Sequence, residues 1–316
     1  MELAPTRDDV ARARATLGDR LHRTPTFGSR TLSELTGADV HLKAELFQRT
    51  GSFKPRGVLN KLASLSAAEK AAGVCTWSAG NAAQAVAYGA ALEGIACRVF
   101  MWRAANSEKV AATRGYGAEV DLEADGPADS YDRLIAHVEE TGSTFVHPFD
   151  DPVLQAGHGT VALEIEEDVP GVDVVVVPVG GGGLIAGIAS AAGCRVVGVE
   201  PEGAASLTGA LEAGEPVRIQ PKTIADGLGA PFTGARTLAV CAERVDQVVL
   251  VTEGEIEDAF RFLYARAKLA CEPAGAAATA ALLAGKIPLE RGERVVAVVS
   301  GGNAATETAS AILASR

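Results

Sequence analysis

Apolar and polar positions along the chain follow two periods, and together they predict a series of strands and helices. Short runs of mostly apolar residues, such as 172–179, are typical of strands buried on both faces of a parallel sheet. Segments in which apolar residues recur at helical spacing separate these runs. Strands that alternate with helices of about 10–15 residues predict βαβ units. The predicted strands are 40–46, 74–77, 96–101, 118–122, 144–147, 172–179, 194–199, 247–251 and 294–299.

Helical spacing is clearest over residues 8–21, where acidic side chains lie near the start, as a helix dipole prefers. The turn-rich segment 148–152 predicts a crossing between two structural units. The other predicted helices are 31–35, 57–65, 67–73, an alanine-rich helix that follows the loop 78–84 and ends near residue 92, 107–116, 128–141, 153–167, a helix from Leu184, 204–213, 253–268, 275–283 and a terminal helix.

Composition and charge narrow the class of protein. The 316 residues are 47% hydrophobic and 22% charged, which is enough to bury a full core. A formal charge of −11 argues against nucleic acid and anionic membranes as partners, because both bind basic patches. No apolar run reaches the ~20 residues of a membrane-spanning helix. We therefore expect a soluble protein with a small-molecule ligand.

The cysteines and the first residues predict a cytoplasmic location. Five cysteines form no Cys-x-x-Cys pair and are odd in number, which is typical of reduced, buried thiols. Residues 1–14 are charged and lack the apolar centre of a signal peptide. The cysteines are Cys75, Cys97, Cys194, Cys241 and Cys271.

Lys54 is predicted to lie at a turn between strand 40–46 and helix 57–65. Gly51 and Ser52 precede it, so we expect a tight bend and a cap for the helix. Strands of a parallel sheet open onto a crevice at their carboxyl ends. A lysine in a dry crevice has a lowered pKa and can form an imine. The alternative is a solvated lysine beside Arg56, and an isolated lysine is usually of that kind.

A run of four glycines, 180–183, follows the apolar strand 172–179 and precedes the helix from Leu184. Backbone N–H groups at such a helix start can hold a phosphate. The order of residues matches neither the dinucleotide pattern nor the P-loop, so the run favours a monophosphate. A flexible turn without a ligand is the alternative.

Two more polar turns follow predicted strands, at 78–81 and 300–303. The first, Ser-Ala-Gly-Asn, could hold a carboxylate or phenolic oxygen, and the second is Ser-Gly-Gly-Asn. Each could instead be a helix cap without a ligand. Because all four turns lie at the ends of predicted strands, we expect them at one site.

In these segments the sequence resembles fold-type II pyridoxal-phosphate enzymes, in the branch of threonine/serine dehydratases and serine racemases. G-S-F-K-P-R-G around Lys54, S-A-G-N at 78–81, the glycine run and S-G-G-N at 300–303 carry the resemblance, together with 223–227 and 272–276. It implies pyridoxal 5'-phosphate as cofactor and Lys54 as the catalytic Schiff-base lysine. It implies cofactor-binding roles for Phe53, Lys54, Asn81, Gly180, Gly181, Gly182, Gly183, Leu184 and Ser300, and substrate-binding roles for Ser78, Ala79, Gly80 and Asn81.

The resemblance also implies an α/β fold of the tryptophan-synthase-β kind, with two parallel-sheet domains. We expect residues 1–68 and 148–316 to form the large cofactor-binding domain, with a small mobile domain, 69–147, inserted in it. A homodimer is expected as well.

Several positions depart from the family pattern. Ala79 stands where serine racemases carry the serine that protonates the substrate face opposite the lysine. Ala82 replaces a usual histidine. Glu200 and Ala204 match part of a divalent-cation site, but Ser206 replaces its aspartate, so no metal ion is assigned and binding of a divalent cation near Glu200 stays open. His158 is the only histidine expected near a domain boundary, and a structural role is favoured for it.

The expected reaction is the dehydration of an L-β-hydroxy amino acid, such as threonine, serine, hydroxyaspartate or phenylserine, to a 2-oxo acid and ammonia. Three alternatives remain. A racemase would need the missing acid opposite Lys54. A β-replacement synthase normally carries a threonine-rich loop, unlike residues 78–84. A non-catalytic nucleotide-binding protein would have the glycine turns without needing Lys54.

Overall fold

The computed structural model describes residues 4–315, and in that part of the chain the strands form two sheets. The larger sheet has six strands in the order β1-β2-β10-β7-β8-β9, and the smaller has four in the order β5-β4-β3-β6. The strands are β1 (Thr26–Gly28), β2 (Asp39–Ala44), β3 (Val74–Trp77), β4 (Cys97–Trp102), β5 (Glu119–Ala124), β6 (Thr144–Phe145), β7 (Val174–Pro178), β8 (Arg195–Pro201), β9 (Gln247–Val251) and β10 (Arg294–Val299).

Helices connect the strands. They are α1 (Arg7–Leu17), α2 (Arg30–Thr36), α3 (Lys54–Ala63), α4 (Ala67–Ala72), α5 (Asn81–Glu93), α6 (Ser107–Gly115), α7 (Pro127–Thr141), α8 (Pro152–Asp168), α9 (Gly183–Ala191), α10 (Ser206–Ala213), α11 (Ala235–Arg244), α12 (Glu253–Phe262), α13 (Pro273–Leu283) and α14 (Thr306–Ala314). None of the helices in residues 4–315 is both long and apolar enough to cross a membrane.

The predicted α/β fold with parallel sheets is confirmed. Every strand pair is parallel except β1 with β2, which is antiparallel and lies at the edge of the larger sheet. Strand β1 was not predicted, because three residues are too few to show an alternation. Helix α11 was not predicted either, because it begins after Gly234 without a capping side chain. The helix predicted over 253–268 ends at Phe262 and continues as one π-helical segment, Leu263–Ala267.

The boundaries of the two predicted domains stay a prediction. All strands of the smaller sheet lie between residues 74 and 145, and all strands of the larger sheet lie outside that range. However, Val58 and Leu62 of α3 pack in one apolar cluster with Val74 and Val86. The packing is therefore continuous across the predicted boundary at residue 69.

Close packing at glycines brings α3 to its place beside the larger sheet. A Cβ atom on Gly157 of α8 would lie 2.3 Å from the carbonyl oxygen of Arg56, so only glycine fits there. A Cβ atom on Gly57 would likewise lie 2.5 Å from the carbonyl oxygen of Leu154. The backbones of α3 and α8 therefore touch directly, and this contact sets the start of α3, where Lys54 lies.

Candidate active site

A cavity of about 520 Å³ opens at the carboxyl ends of the strands and is lined by segments of both sheets. All of the residues for which a cofactor- or substrate-binding role was predicted line it. These are Phe53, Lys54, Ser78, Ala79, Gly80, Asn81, Gly180, Gly181, Gly182, Gly183, Leu184 and Ser300. Segments as far apart in sequence as 53–54 and 300 thus meet at one site, as the crevice rule for α/β sheets leads one to expect.

Helix α3 begins at Lys54, which is three residues before the predicted start of the helix at residue 57. Pro55 follows it, and proline suits the first turn of a helix because no N–H is needed there. The predicted cap by Ser52 is wrong. Phe53 occupies the N-cap position without a capping hydrogen bond, and Ser52 instead forms a backbone bridge with Gly301.

The amine of Lys54 lies in an environment that favours its neutral form. Its Nζ donates a hydrogen bond to the Pro148 carbonyl at 2.7 Å. Burial lowers the pKa of Lys54 to about 8, against a smaller opposing attraction from Glu272. A useful fraction of the amine is therefore unprotonated near neutral pH, as a nucleophile or a base requires.

Arg56 anchors the start of α3 in a buried cluster of charges. Its guanidinium donates to Glu45 at 2.7 Å and to Glu164 at 2.7 Å, and Lys43 donates to the same Glu164 at 2.7 Å. The Lys43 amine also lies 3.4 Å from the Asp168 carboxylate, so the two cations face three carboxylates. Burial disfavours the cation of Arg56, but the carboxylates of Glu45 and Glu164 outweigh burial and raise its pKa. No buried charge cluster around Arg56 was predicted from the sequence.

The glycine run forms the start of α9. Gly182 is its N-cap residue and has a left-handed φ of +82°. A Cβ atom on Gly181 would lie 2.3 Å from the ring of Phe149, so a side chain cannot be accommodated. The first turn of a helix leaves backbone N–H groups without intrahelical acceptors, and here they border the cavity. The run could hold a phosphate group of the kind predicted.

We expect Gly182→Asp to weaken binding of pyridoxal 5'-phosphate severely. Its side chain would meet Cγ2 of Thr237 at 2.3 Å and bring a negative charge to an anion site. Gly214→Asp is the matched control, because Gly214 also has a positive φ, +74°, but borders open space. Titration of each apoprotein with the cofactor measures the effect. Equal affinities for the two variants would contradict the assignment.

Asn81 is the first residue of α5 and is held from two sides. Its Nδ2 donates to Oε1 of Glu272 at 2.6 Å, and its Oδ1 accepts from Nδ2 of Asn303 at 2.8 Å. Glu272 lies at the cavity wall, where burial raises its pKa to about 7 and Lys109 opposes the shift. Residues 272–276 had been predicted only as a segment similar to the family, and no local signal indicated a contact with Asn81.

Ser300 and two alanines also line the cavity. Ser300 makes no side-chain hydrogen bond to any other residue in the range 4–315, so its hydroxyl is available to a ligand. Ala79 and Ala82 present only methyl groups.

Lys109 of α6 pairs with Asp226, and this ion pair joins segments of the two sheets at the cavity. The aromatic residues Trp77 and Trp102 were also missed as lining residues.

Glu200 and His158 lie outside the cavity lining. The Glu200 carboxylate accepts hydrogen bonds from the backbone of Leu207 at 2.7 Å and of Thr208 at 2.9 Å. Among the described residues no group of three or more His, Cys, Asp or Glu side chains is arranged for a metal ion. His158 is fully buried, with its ring 4.8 Å from that of Phe53. Its structural role remains a prediction.

Comparison with known proteins identifies the family. The model of the pyridoxal-phosphate dependent enzyme family matches residues 18–301. The chain belongs to this family. It is 44% identical over 304 residues to the L-threonine ammonia-lyase of Thermotoga maritima, a match that covers 94% of this chain and 75% of that protein. It is 40% identical over 306 residues to the serine racemase of Schizosaccharomyces pombe, covering 95% of this chain and 94% of the relative.

Among solved structures, maize serine racemase superposes with a TM-score of 0.93 at 35% identity, covering 96% of this chain and 95% of that one. Relatives and structures thus include both lyases and racemases. Overall similarity does not separate the two activities, and the separation has to come from individual residues of the cavity.

The residues of the cavity fit the family's cofactor. A run of glycines that excludes side chains borders the cavity, and a buried amine of lowered pKa and a serine hydroxyl line the same cavity. These groups could hold, respectively, the phosphate, the aldehyde carbon and the pyridine nitrogen of pyridoxal 5'-phosphate. When bound, this cofactor supplies an electron sink for a negative charge at the substrate Cα.

Proposed function

We propose that the protein is an ammonia-lyase that converts an L-β-hydroxy amino acid, with L-threonine and L-serine as the first candidates, to a 2-oxo acid and ammonia. The similarity to an L-threonine ammonia-lyase over 94% of this chain supports the reaction class. A single residue favours it over racemisation. Ala79 lies in the cavity wall with Lys54, and its methyl group cannot donate a proton to a second face of the substrate.

The proposed roles of the chain's own groups follow from their positions. Lys54 would hold the cofactor through its Nζ, and with that amine free it would take the proton from the substrate Cα. Ser78, Gly80 and Asn81 bind the substrate carboxylate through hydroxyl and N–H groups near the start of α5. Ser300 would offer the pyridine nitrogen a neutral hydroxyl rather than a carboxylate, so it would not hold that nitrogen protonated. This choice of partner suits β-elimination.

Phe53 and the glycine run complete the proposed cofactor site. Phe53 immediately precedes Lys54 and lines the cavity, so its ring limits the space beside the cofactor. The N–H groups from Gly180 to Leu184 bind the phosphate. Neither role requires a metal ion.

The purified holoenzyme should release equal amounts of 2-oxo acid and ammonia from at least one L-β-hydroxy amino acid. The panel contains L-threonine, L-serine, β-hydroxyaspartate and phenylserine. Each is assayed for the 2-oxo acid as its hydrazone and for ammonia with a coupled dehydrogenase. If none of these substrates releases ammonia, the proposed activity is refuted. If only one of them does, its side chain is the one that the cavity accepts.

Ala79→Ser is expected to raise racemisation relative to elimination. A hydroxyl at residue 79 would supply a proton donor opposite Lys54, and positioned general acids contribute about 10²–10⁴-fold. Chiral chromatography of the remaining substrate measures the D-enantiomer, and the 2-oxo acid is measured in the same reaction. The unmodified enzyme should form the D-enantiomer at most as a trace. An unchanged ratio in Ala79→Ser would contradict the proposed role of this position.

A racemase is the second candidate, because the chain is 40% identical to a serine racemase. Rapid conversion of L- to D-serine by the unmodified enzyme would favour it. A β-replacement synthase would incorporate an added thiol into its product. A non-catalytic nucleotide-binding protein would show no visible absorbance that is lost on reduction with borohydride.

We further propose a cytoplasmic homodimer without nucleic-acid partners, in which residues 69–147 form the small mobile domain. The negative net charge, the free cysteines and the separate sheet within residues 74–145 support these assignments. Sedimentation equilibrium should give twice the mass of one chain. A monomer at micromolar concentration would contradict the proposed dimer.

A further inference from the structure

Three side chains form an unbroken hydrogen-bonded series at the wall of the cavity. Asn303 donates from Nδ2 to the backbone carbonyl of Thr50 at 2.7 Å and to Oδ1 of Asn81 at 2.8 Å. Asn81 donates from Nδ2 to Oε1 of Glu272 at 2.6 Å. The series therefore begins at a main-chain acceptor and ends at a carboxylate.

The polarity of this series leaves one orientation for the Asn81 amide. The Thr50 carbonyl can only accept, so Asn303 must turn its NH₂ group toward Asn81. The ionised Glu272 carboxylate also accepts, so the NH₂ group of Asn81 faces it. In the flipped orientation the NH₂ group of Asn81 would meet the NH₂ group of Asn303, which is repulsive whether or not Glu272 is protonated. The Asn81 oxygen would also meet the ionised carboxylate, which is a second repulsive contact.

The side chains of this hydrogen-bonded series are tightly packed against their neighbours in the cavity wall. A Cβ atom on Gly301 would lie 2.3 Å from Oε1 of Glu272 and 3.2 Å from Nδ2 of Asn81, so a side chain there would push them apart. Glu272 is 2% exposed, and its second oxygen, Oε2, has no hydrogen-bond partner among the described residues. Glu272 occupies the N-cap position of α13 but makes no capping hydrogen bond, so the helix does not need its side chain.

We propose that Glu272 and Asn303 are positioning residues that fix the Asn81 amide so that its second N–H faces the cavity as a donor to the phenolic oxygen of the bound cofactor. This inference rests on the proposed cofactor site. An NH₂ group has two hydrogens, and Glu272 takes one of them. The other is then presented by a group that cannot rotate, which lowers the entropic cost of the contact.

The closing experiment measures binding of pyridoxal 5'-phosphate to apoprotein variants through the visible absorbance of the bound cofactor. Glu272→Ala removes the acceptor and should weaken binding roughly 10- to 100-fold, the range of one charge-assisted hydrogen bond. The visible band should shift, because its position depends on the phenolic oxygen's donor. Glu272→Gln keeps an acceptor oxygen and should restore affinity and band position.

A second variant, Asn303→Asp, changes the hydrogen-bond partner on the other side of the Asn81 amide. Its carboxylate can only accept, so it should turn the Asn81 amide over and produce the same change in the visible band. The melting temperature of each apoprotein shows whether a variant is folded. If Glu272→Ala does not fold, Asn303→Asp and Glu272→Gln carry the test.

The decisive comparison is made in an Asn81→Ala background. If Glu272 acts through Asn81, Glu272→Ala should cause no further loss of cofactor affinity there, since the two effects are not additive. An equal loss in both backgrounds, or wild-type affinity and spectrum in Glu272→Ala and Asn303→Asp, would overturn the inference. Failure of the unmodified protein to bind the cofactor would instead refute the proposed function.

Discussion

Lys54→Ala is expected to abolish covalent attachment of the cofactor and nearly all turnover. The variant lacks both the amine that anchors the cofactor and the base that removes the Cα proton. Loss of general base catalysis alone costs about 10²–10⁴-fold. Mass spectrometry of the borohydride-reduced protein measures the attachment, and release of 2-oxo acid measures turnover.

Lys61→Ala is the matched control for this prediction. Lys61 lies on the same helix, α3, but pairs with Asp151 and does not line the cavity. Its replacement should leave attachment and turnover close to those of the unmodified enzyme. A digest in which the reduced cofactor sits on any lysine other than Lys54 would contradict the assignment directly.

Arg56→Ala should have the largest effect on stability. It would leave the carboxylates of Glu45 and Glu164 in the core without their main partner, and breaking a buried ion pair costs about 3–5 kcal/mol. Urea unfolding of the apoprotein measures the free energy of unfolding. Arg30→Ala is the control, because the exposed pair of Arg30 with Glu34 should contribute at most about 1 kcal/mol.

A double variant that keeps the net charge of the cluster distinguishes the effect of an unpaired buried charge from the effect of lost packing. Arg56→Met combined with Glu45→Gln removes one positive and one negative charge and leaves Lys43 paired with Glu164. Replacing buried charges together is often nearly neutral, so this pair should recover much of the lost stability. If Arg56→Ala costs no more than Arg30→Ala, the buried cluster does not hold the start of α3 as described.

Local sequence signals were sufficient for the parts of the site that a single turn supplies. The glycine run at the start of α9 and the polar turn before α5 lie within a few positions of a strand end, and Lys54 lies ten residues after Ala44, the last residue of β2. Because parallel strands end at one edge of a sheet, these turns could be brought together without knowledge of the coordinates. The fold class followed from the same alternation of strands and helices.

Contacts between distant segments could not be predicted in this way. The partner of Arg56 in α8 lies 108 residues away, and nothing near Arg56 distinguishes it from a solvated arginine. The hydrogen bond between Asn81 and Glu272 spans 191 residues. Burial of a charged side chain depends on which other charges the fold delivers to it, and a local pattern does not contain that information.

The holoenzyme incubated with L-threonine should show whether this chain performs β-elimination with a cofactor attached to Lys54. The 2-oxo acid, ammonia and D-enantiomer are all quantified in the same sample. We expect equal amounts of 2-oxo acid and ammonia with at most a trace of the D-enantiomer. Consumption of L-threonine with the D-enantiomer as the main product, or no consumption of any L-β-hydroxy amino acid, would contradict β-elimination by this chain.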